Sequence, residues 1–353
     1  MVSIWGRPQS AEARAFRGVS MTRSIRLNRR DALRLSAGGA AALMAPSALA
    51  SSVILAPDGG PTGGASLPYR DPIWNRDAFA RLQGNLNSDE QKVGWYSGKV
   101  MGVRDGEPLR ELFGFEGFSV SRLLEQEDGS WRKLLREVGF YRDLRSGELL
   151  DEWTNVYTGE TVRVVPVAND PFNFTISQFV PQPPDYGGLN PVELPPIPLI
   201  LPWREMGDKV LLTTDIHLFY PSALQPDEWP RESPGPMTRV SELFRYIIDK
   251  DKLADPDLTS IEYFGAWNRV TPWLPWMLMD QAPGHIMYMC DMGAFGTSFD
   301  LIPDDVLARA EAMDPKWLEA PFEDYGPSLS SLENYALTET PAPPREAPAD
   351  NGE

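Results

Sequence analysis

The sequence predicts a mainly β protein, an antiparallel meander of about nine strands with a few peripheral helices. Segments rich in aromatic and β-branched residues alternate apolar and polar positions with a period of two. Tight-turn pairs such as Asp105-Gly106 and Asp128-Gly129 separate these segments. Strands joined by such turns are antiparallel neighbours, and this many can close on themselves. We therefore expect a barrel or a strongly curled sheet.

The first half of the folded body contains one short helix and most of the strands. Asp71 is a helix N-cap residue and Pro72 suits the first turn, so a helix is expected to begin here. Period-two alternation then predicts strands at residues 93–103, 110–125, 130–143, 148–156, 161–169 and 172–177.

A proline-rich connection, residues 181–202, separates these strands from the second half of the body. Further strands are predicted at residues 209–220, 261–270 and 285–292. Residues 304–317 predict a helix that could plug one end of the barrel. A second amphipathic helix is predicted from apolar residues at helical spacing, namely Val240, Leu243, Phe244, Ile247 and Ile248.

Residues 1–50 predict a twin-arginine signal peptide. Arg29 and Arg30 precede a polar, a small, an apolar and a basic residue, and a weakly apolar run follows at 35–45. The sequence Ala48-Leu49-Ala50 is typical of a cleavage site, so we expect cleavage after Ala50. The folded protein is then expected in the periplasm or outside the cell, with the twin-arginine translocase and signal peptidase as partners during export.

The rest of the chain is expected to form one domain. A compact signal peptide would begin at Met21, which we expect to be the true start. Residues 51–69 are a Gly/Pro-rich linker, residues 70–326 form a single domain without visible repeats, and the acidic, proline-rich tail at 327–353 is expected to be disordered. No later stretch reaches about 18 apolar residues, so no permanent membrane anchor is expected.

The charge of the chain argues against several partners. The formal net charge is −17, and because residues 1–50 contain eight arginines and two acids, the remainder carries −23. Such a surface repels phosphate, so nucleic acid and anionic membranes are poor partners. Cys290 is the only cysteine, which excludes an intrachain disulfide.

Standard catalytic signatures are absent, and the sequence identifies no cofactor. Asp215 and His217 share one face of the predicted strand 209–220, where Asp215 could orient the imidazole as a general base. His285 begins another predicted strand. Convergence of the two histidines with a carboxylate would allow a metal site, but no ligand spacing supports one. The alternative is that Asp215 and His217 form the solvent face of a half-buried strand.

Aromatic residues with polar groups are abundant and could line an apolar pocket. The alternatives are that the aromatic residues fill the core and that the Asx residues before proline serve turns. The candidate ligand-binding residues are Trp95, Tyr96, Trp153, Asn155, Tyr157, Asn169, Asp170, Trp267 and Trp276.

Three segments carry a family resemblance. They are 152–160 (EWTNVYTGE), 169–171 (NDP) and 272–277 (PWLPWM), and together they resemble a domain-of-unknown-function family, number 1838, of bacteria and fungi. The likeness covers roughly residues 70–325. The family implies no activity or catalytic residues. The meander also looks like lipocalin-type barrels, which is an analogy of fold alone.

Three hypotheses of function follow. The leading one is an exported β-barrel that binds an apolar or aromatic small molecule in its interior. The second is an enzyme without an organic cofactor, an isomerase, lyase or hydrolase, that uses Asp215, His217 or His285 for acid–base chemistry. The third is a structural or partner-binding protein of the cell envelope.

Overall fold

A computed structural model of the protein describes residues 67–186, 188–189 and 191–345. The predicted signal peptide, nearly all of the predicted linker and the last eight residues of the tail lie outside the described residues. Among the residues described, no helix is both long and apolar enough to cross a membrane.

The described residues contain twelve strands, four α-helices and two short 3₁₀ segments, at 275–277 and 315–318. The helices are α1 (Pro72–Gln83), α2 (Lys250–Ala254), α3 (Asp304–Met313) and α4 (Ser331–Thr338). The strands are β1 (Lys92–Val103), β2 (Arg110–Glu125), β3 (Trp131–Arg142), β4 (Glu152–Thr154), β5 (Thr161–Arg163), β6 (Val167–Asn169), β7 (Phe174–Ile176), β8 (Trp203–Met206), β9 (Lys209–Pro221), β10 (Met237–Asp249), β11 (Tyr263–Thr271) and β12 (His285–Ala294).

Ten of these strands form one antiparallel sheet in the order β6-β3-β2-β1-β12-β11-β10-β9-β8, with β7 also paired to β3. β4 and β5 form a separate hairpin. The mainly β, antiparallel fold predicted from the alternation of residues is therefore confirmed. Closure of the sheet into a barrel stays a prediction.

The predicted helix at residues 240–248 is wrong, because these residues belong to β10. They pair with β9 along the whole strand and with β11 over residues 241–247. In the strand, Val240 and Ile248 face the core, whereas Leu243 and Ile247 face solvent. Because β10 carries apolar residues on both faces, their spacing in the sequence resembles that of an amphipathic helix. The strand is favoured because β-branched and aromatic residues pair well between neighbouring strands.

The two faces of the sheet pack differently. The inner face, which carries Val100, Phe113, Tyr141 and Tyr288, packs on the main hydrophobic core. The outer face of β1, β2 and β3 is covered by α3 and by Trp317. The predicted helix at 304–317 therefore covers the outer face instead of plugging an end, and it gives way to the 3₁₀ segment after Met313.

Helix α1 connects the two edges of the sheet. Ala80 packs with Ile176 of β7, and Trp74 contacts the ring of Trp203 in β8 at 5.6 Å between centroids. The amide of Asn75 is fully buried and makes four hydrogen bonds. Its Nδ2 donates to Tyr69 O and Asp71 O, and its Oδ1 accepts from Leu201 N and Trp203 Nε1. One side chain thus fixes α1 against the start of β8.

The tail differs from the sequence prediction, which expected disorder from residue 327. Helix α4 begins with a capping box, in which Ser330 and Glu333 exchange hydrogen bonds. After it, residues 339–345, here called the C-terminal strap, remain attached to the body. Ala342 N donates to Glu232 Oε1 at 2.5 Å, and Arg345 pairs with Asp280 at 2.8 Å.

Replacing Asn75 should weaken the fold. Asn75→Ala leaves Trp203 Nε1 and Leu201 N without a buried acceptor, so the free energy of unfolding should fall by about 2 to 4 kcal/mol. Urea denaturation followed by tryptophan fluorescence measures this change. Ile73→Ala, at a half-exposed position of the same helix, should cost less than about 1 kcal/mol; equal losses would contradict the role given to Asn75.

Candidate functional site

Charged residues occupy the inner face of the sheet. The inner-face cluster comprises Glu137, Asn169, Glu242, Trp267 and Arg269. Two cross-strand pairs build it, because the register places Glu137 opposite Asn169 and Glu242 opposite Arg269. Asn169 Nδ2 donates to Glu137 Oε1 at 2.5 Å, Trp267 Nε1 donates to Glu242 Oε2 at 3.1 Å, and Arg269 Nη1 lies 3.4 Å from Glu242 Oε1.

The cluster leaves polar atoms without partners among the described residues. Glu137 accepts one hydrogen bond, at Oε1, and none at its second carboxylate oxygen. Arg269 Nε is buried and makes no hydrogen bond. A guanidinium has five N–H donors, and the carboxylate of Glu242, 3.4 Å from Nη1, cannot accept from all of them. The cluster therefore offers both an acceptor and donors to a further group.

Burial shapes the electrostatics of this cluster. Burial raises the pKa of Glu137, and the negative charge of Glu242 raises it further, while the hydrogen bond from Asn169 and the charges of Arg269 and Lys133 lower it. Burial also lowers the pKa of Lys133 to about 7. Glu137 consequently keeps its proton to a higher pH than an ordinary glutamate does.

Aromatic rings surround the cluster. The rings of Tyr96 and Trp267 lie 5.4 Å apart, those of Phe115 and Trp267 6.0 Å, and those of Phe115 and Tyr288 5.2 Å. The hydroxyl groups of Tyr141 and Tyr288 are hydrogen-bonded at 2.9 Å. These contacts give the inner face a mainly aromatic surface with hydroxyl groups.

The inner face remains accessible near the cluster. Ile216, opposite Glu242 in the register, points to the inner face and is 41% exposed. Tyr96, Phe244, Glu137 and Arg269 are half-buried. A tightly filled interior would bury Ile216, so the side chain of Ile216 is in contact with solvent.

The predicted acid–base residues lie elsewhere. His217 Nε2 is 2.8 Å from Asp215 Oδ2, and His217 Nδ1 is 3.0 Å from Ser241 Oγ, as the i, i+2 spacing suggested. Both residues are on the outer face of β9. His285 begins β12, which is separated from β9 by β10 and β11. Two strands therefore lie between the two histidines. Among the described residues, no three His, Cys, Asp or Glu side chains could share a metal ion.

Some predicted ligand-binding residues belong to the inner face and others to the core. Tyr96, Asn169 and Trp267 belong to the inner face, as described above. Trp153 and Trp276 are buried in the main core, with their ring centroids 6.0 Å apart. Their burial matches the alternative that aromatic residues fill the core.

The remaining predicted residues hold turns and surfaces together. Asn155 is fully buried and donates to Met277 O at 2.8 Å, and the ring of Tyr157 contacts that of Trp273 at 5.2 Å. Trp95 lies on the outer face of β1 beside Phe264. Asp170 accepts hydrogen bonds from Arg136 and Tyr325, and it pairs with Lys316. These contacts account for the four residues structurally.

The search for familiar motifs missed Glu137, Glu242 and Arg269. A usable signal exists, because each occupies an inward position of an alternating strand. Glu242 lies between Val240 and Phe244 on the face that β10 turns to the core. A charge at such a position is costly, so it is a candidate for function. The predicted helix at 240–248 concealed this alternation.

The pKa of Glu137 gives a testable pH dependence. The pKa of Glu137 is higher in the folded protein than in the unfolded chain. The folded protein therefore loses stability as Glu137 ionises, when the pH rises through the folded-state pKa. Glu137→Gln lacks this cost, so its free energy of unfolding relative to wild type should increase from pH 4 to pH 8. Urea denaturation across this range tests it. The exposed substitution Glu127→Gln should give a flat difference; a flat difference for Glu137→Gln would contradict the assignment.

Comparison with known proteins gives a family without an activity. The model of a family described as a protein of unknown function, DUF1838, matches residues 89–336. No curated protein matches the chain. The matched region extends from just before β1 into α4 and so includes the whole inner-face cluster. The chain belongs to the DUF1838 family.

Proposed function

We propose that the protein binds a small molecule with an apolar or aromatic body on the inner face of its sheet, within a curled, barrel-like interior. One observation carries the proposal. An exposed apolar side chain, Ile216, lies beside a cluster in which Arg269 Nε has no hydrogen-bond partner and Glu137 accepts a hydrogen bond at one carboxylate oxygen only. Apolar walls with a few convergent polar groups are typical of ligand sites.

Contacts across non-neighbouring strands support a strongly curled sheet. Phe115 on β2 and Trp267 on β11 are separated by β1 and β12, which would place them about 14 Å apart in a flat sheet. Their ring centroids are 6.0 Å apart. Glu137 on β3 is affected by Glu242 on β10, although five strand spacings, about 24 Å, would separate them in a flat sheet.

The connection between β7 and β8 supports closure. Val180 N donates to Ile197 O and Leu199 N donates to Gln178 O, both at 2.8 Å. The chain that leaves β7 therefore pairs with the chain that approaches β8. Helix α1 also contacts both edge strands. An interior closed in this way would surround a ligand on all sides except the ends.

Two inward-facing glycines support strong bending. A Cβ at Gly139 would lie 2.5 Å from the ring of Phe115, and one at Gly265 would lie 1.7 Å from the carbonyl oxygen of Arg245. Only glycine permits these approaches. Glycines at inward positions allow a sheet to bend sharply, and here they also let the Phe115 ring and the Arg245 carbonyl approach closely.

The cluster suggests the polar groups of the ligand. A carbonyl or carboxylate oxygen of the ligand would accept from Arg269, and a hydroxyl or amine would donate to Glu137. Ile216, Phe244 and Trp267 would contact its apolar part. We therefore propose a ligand that combines a ring or aliphatic body with at least one acceptor and one donor.

A second candidate function is acid–base catalysis at the same site without an organic cofactor. It is favoured by the raised pKa of Glu137, since carboxyl groups displaced towards neutral pH serve as proton-transfer groups. Arg269 would stabilise negative charge on a substrate oxygen. Asp215, His217 and His285 would take no part, because they lie away from the inner face.

Filling the interior should abolish ligand binding. Ile216→Trp places an indole beside the cluster, and the affinity for the fluorescent probe anilinonaphthalene sulfonate should fall by at least about tenfold. Leu243→Trp is the matched control, because Leu243 is equally exposed, 41%, on the outer face of the neighbouring strand. Its affinity should change less than about twofold. Equal effects, or no binding by wild type, would contradict an interior site.

We also propose export by the twin-arginine route. Replacing Arg29 and Arg30 together by lysine should leave most of the protein in the cytoplasm as precursor, because the arginine pair is the recognised feature. Fractionation and immunoblotting in the native host measure this. Arg26→Lys, outside the pair, is the control. Undiminished export of the double variant would overturn the proposal, and N-terminal sequencing of the exported form should begin at Ser51.

A further inference from the structure

A second cavity lies under the C-terminal strap, apart from the inner-face cluster. Its volume is about 260 Å³. The walls come from β5, from the turn after β11, from α4 and from the strap itself. Its lining includes Val165, Glu232, Trp276, Leu278, Tyr335 and Ala342. The cavity thus combines two aromatic side chains and aliphatic groups with the buried carboxylate of Glu232 and the ion pair of Arg163 and Glu339.

The strap that covers this cavity is fastened by charged groups. Arg163 pairs with Glu339 where the strap begins. Arg345 pairs with Asp280 at 2.8 Å and donates to Leu278 O at 2.9 Å where the described strap ends. The strap is therefore held at both ends, and the cavity between these fastenings is a defined space.

The charges around the cavity do not balance. Arg163, Glu232 and Glu339 line the cavity, and Arg231, Arg345, Glu160 and Asp280 form a neighbouring network of ion pairs. Arg231 turns to Glu160 and Asp280, Arg345 turns to the same two acids, and Arg163 is occupied by Glu339. Glu232 is left without a cation among the described residues.

The surroundings of Glu232 make this imbalance significant. Glu232 is 4% exposed, and its Oε1 accepts a hydrogen bond from Ala342 N. Its Oε2 is buried and has no hydrogen-bond partner. A buried carboxylate oxygen without a donor is costly, and a bound donor would remove that cost.

We propose that this cavity binds a small organic cation, a primary ammonium or amidinium on a flat apolar group, with Glu232 as its counter-ion. The ammonium supplies the missing positive charge beside the Glu232 carboxylate. The faces of Trp276 and Tyr335 suit a neighbouring cation and ring. A cavity of about 150 Å³ holds benzene, so 260 Å³ accommodates one ring with a short chain.

A metal ion fits this site less well than an organic cation. Among the described residues, no group of three His, Cys, Asp or Glu could hold a metal. Glu232 and Glu339 are the carboxylates of the cavity wall, and Glu339 is paired with Arg163, whereas hard cations require several oxygen ligands. The chemistry of the walls therefore selects an organic cation.

Benzylamine and benzyl alcohol form a matched pair of probes, because they share the ring and differ in charge. Titration calorimetry on the full mature chain should show benzylamine binding, at least about tenfold more tightly than benzyl alcohol. Glu232→Gln keeps the shape of the side chain and removes the charge, so it should weaken benzylamine by at least about tenfold. Glu127→Gln removes an exposed acid that does not line the cavity, so it should change the affinity less than about threefold.

Each outcome decides the proposal. No benzylamine binding, equal affinity for the two probes, or unchanged affinity in Glu232→Gln would overturn it. Ile216→Trp, which fills the inner face, should leave benzylamine binding unchanged. Failure of ligand binding at the inner face is thereby separated from failure at the strap cavity.

Discussion

The pairing of β12 with β1 organises the rest of the molecule. The register runs from Gly94 opposite Ala294 to Val103 opposite His285, and β12 pairs on its other side with β11. This insertion joins two meanders, one of β1 to β3 and one of β8 to β11, into a single sheet. Without it, Glu137 of the first meander and Glu242 of the second would belong to separate surfaces.

Charged groups at the centre of such a sheet require a reason. Arg269 Nη1 and Glu242 Oε1 lie 3.4 Å apart, and both side chains are mostly buried. Their attraction therefore offsets only part of the free-energy cost of removing the two ions from water. Glu137 accepts a single hydrogen bond, from the amide of Asn169, and forms no ion pair among the described residues. An apolar core would be easier to stabilise at these positions. A ligand bound at the cluster, as we propose, would use the polar atoms that this otherwise aromatic face carries.

Local signals in the sequence predicted most of the first meander. Tight turns at Asp105-Gly106 and Asp128-Gly129 place β1, β2 and β3 correctly, and Asp71 caps α1 as expected. The insertion of β12 was not predictable, because long-range pairing depends on no local pattern. β10 was mistaken for a helix, since its apolar residues occupy both faces. Order in the tail was also missed, because its attachment depends on arginines far away in the sequence, such as Arg163 and Arg231.

The candidate site was predictable in part. Tyr96, Asn169 and Trp267 were found by composition and turn context, whereas the two glutamates and the arginine beside them were not. Histidines attracted attention because they are rare here, with only two in the chain. The pair Asp215–His217 has the expected local geometry but lies on the outer face. Residue type identified plausible chemistry, and only the pairing of strands showed which side chains share a face of the sheet.

Size-selective thiol labelling tests the accessible interior most directly. The only native cysteine, Cys290, is buried, and burial raises the pKa of its thiol to about 12, so background labelling should be slow. A cysteine introduced by Ile216→Cys should react with a small methanethiosulfonate and resist a bulky maleimide. One introduced by Leu243→Cys on the outer face should react with both reagents. If Ile216→Cys reacts with neither reagent, the interior is filled; if it reacts with both like Leu243→Cys, the sheet is open, and either result would contradict the account.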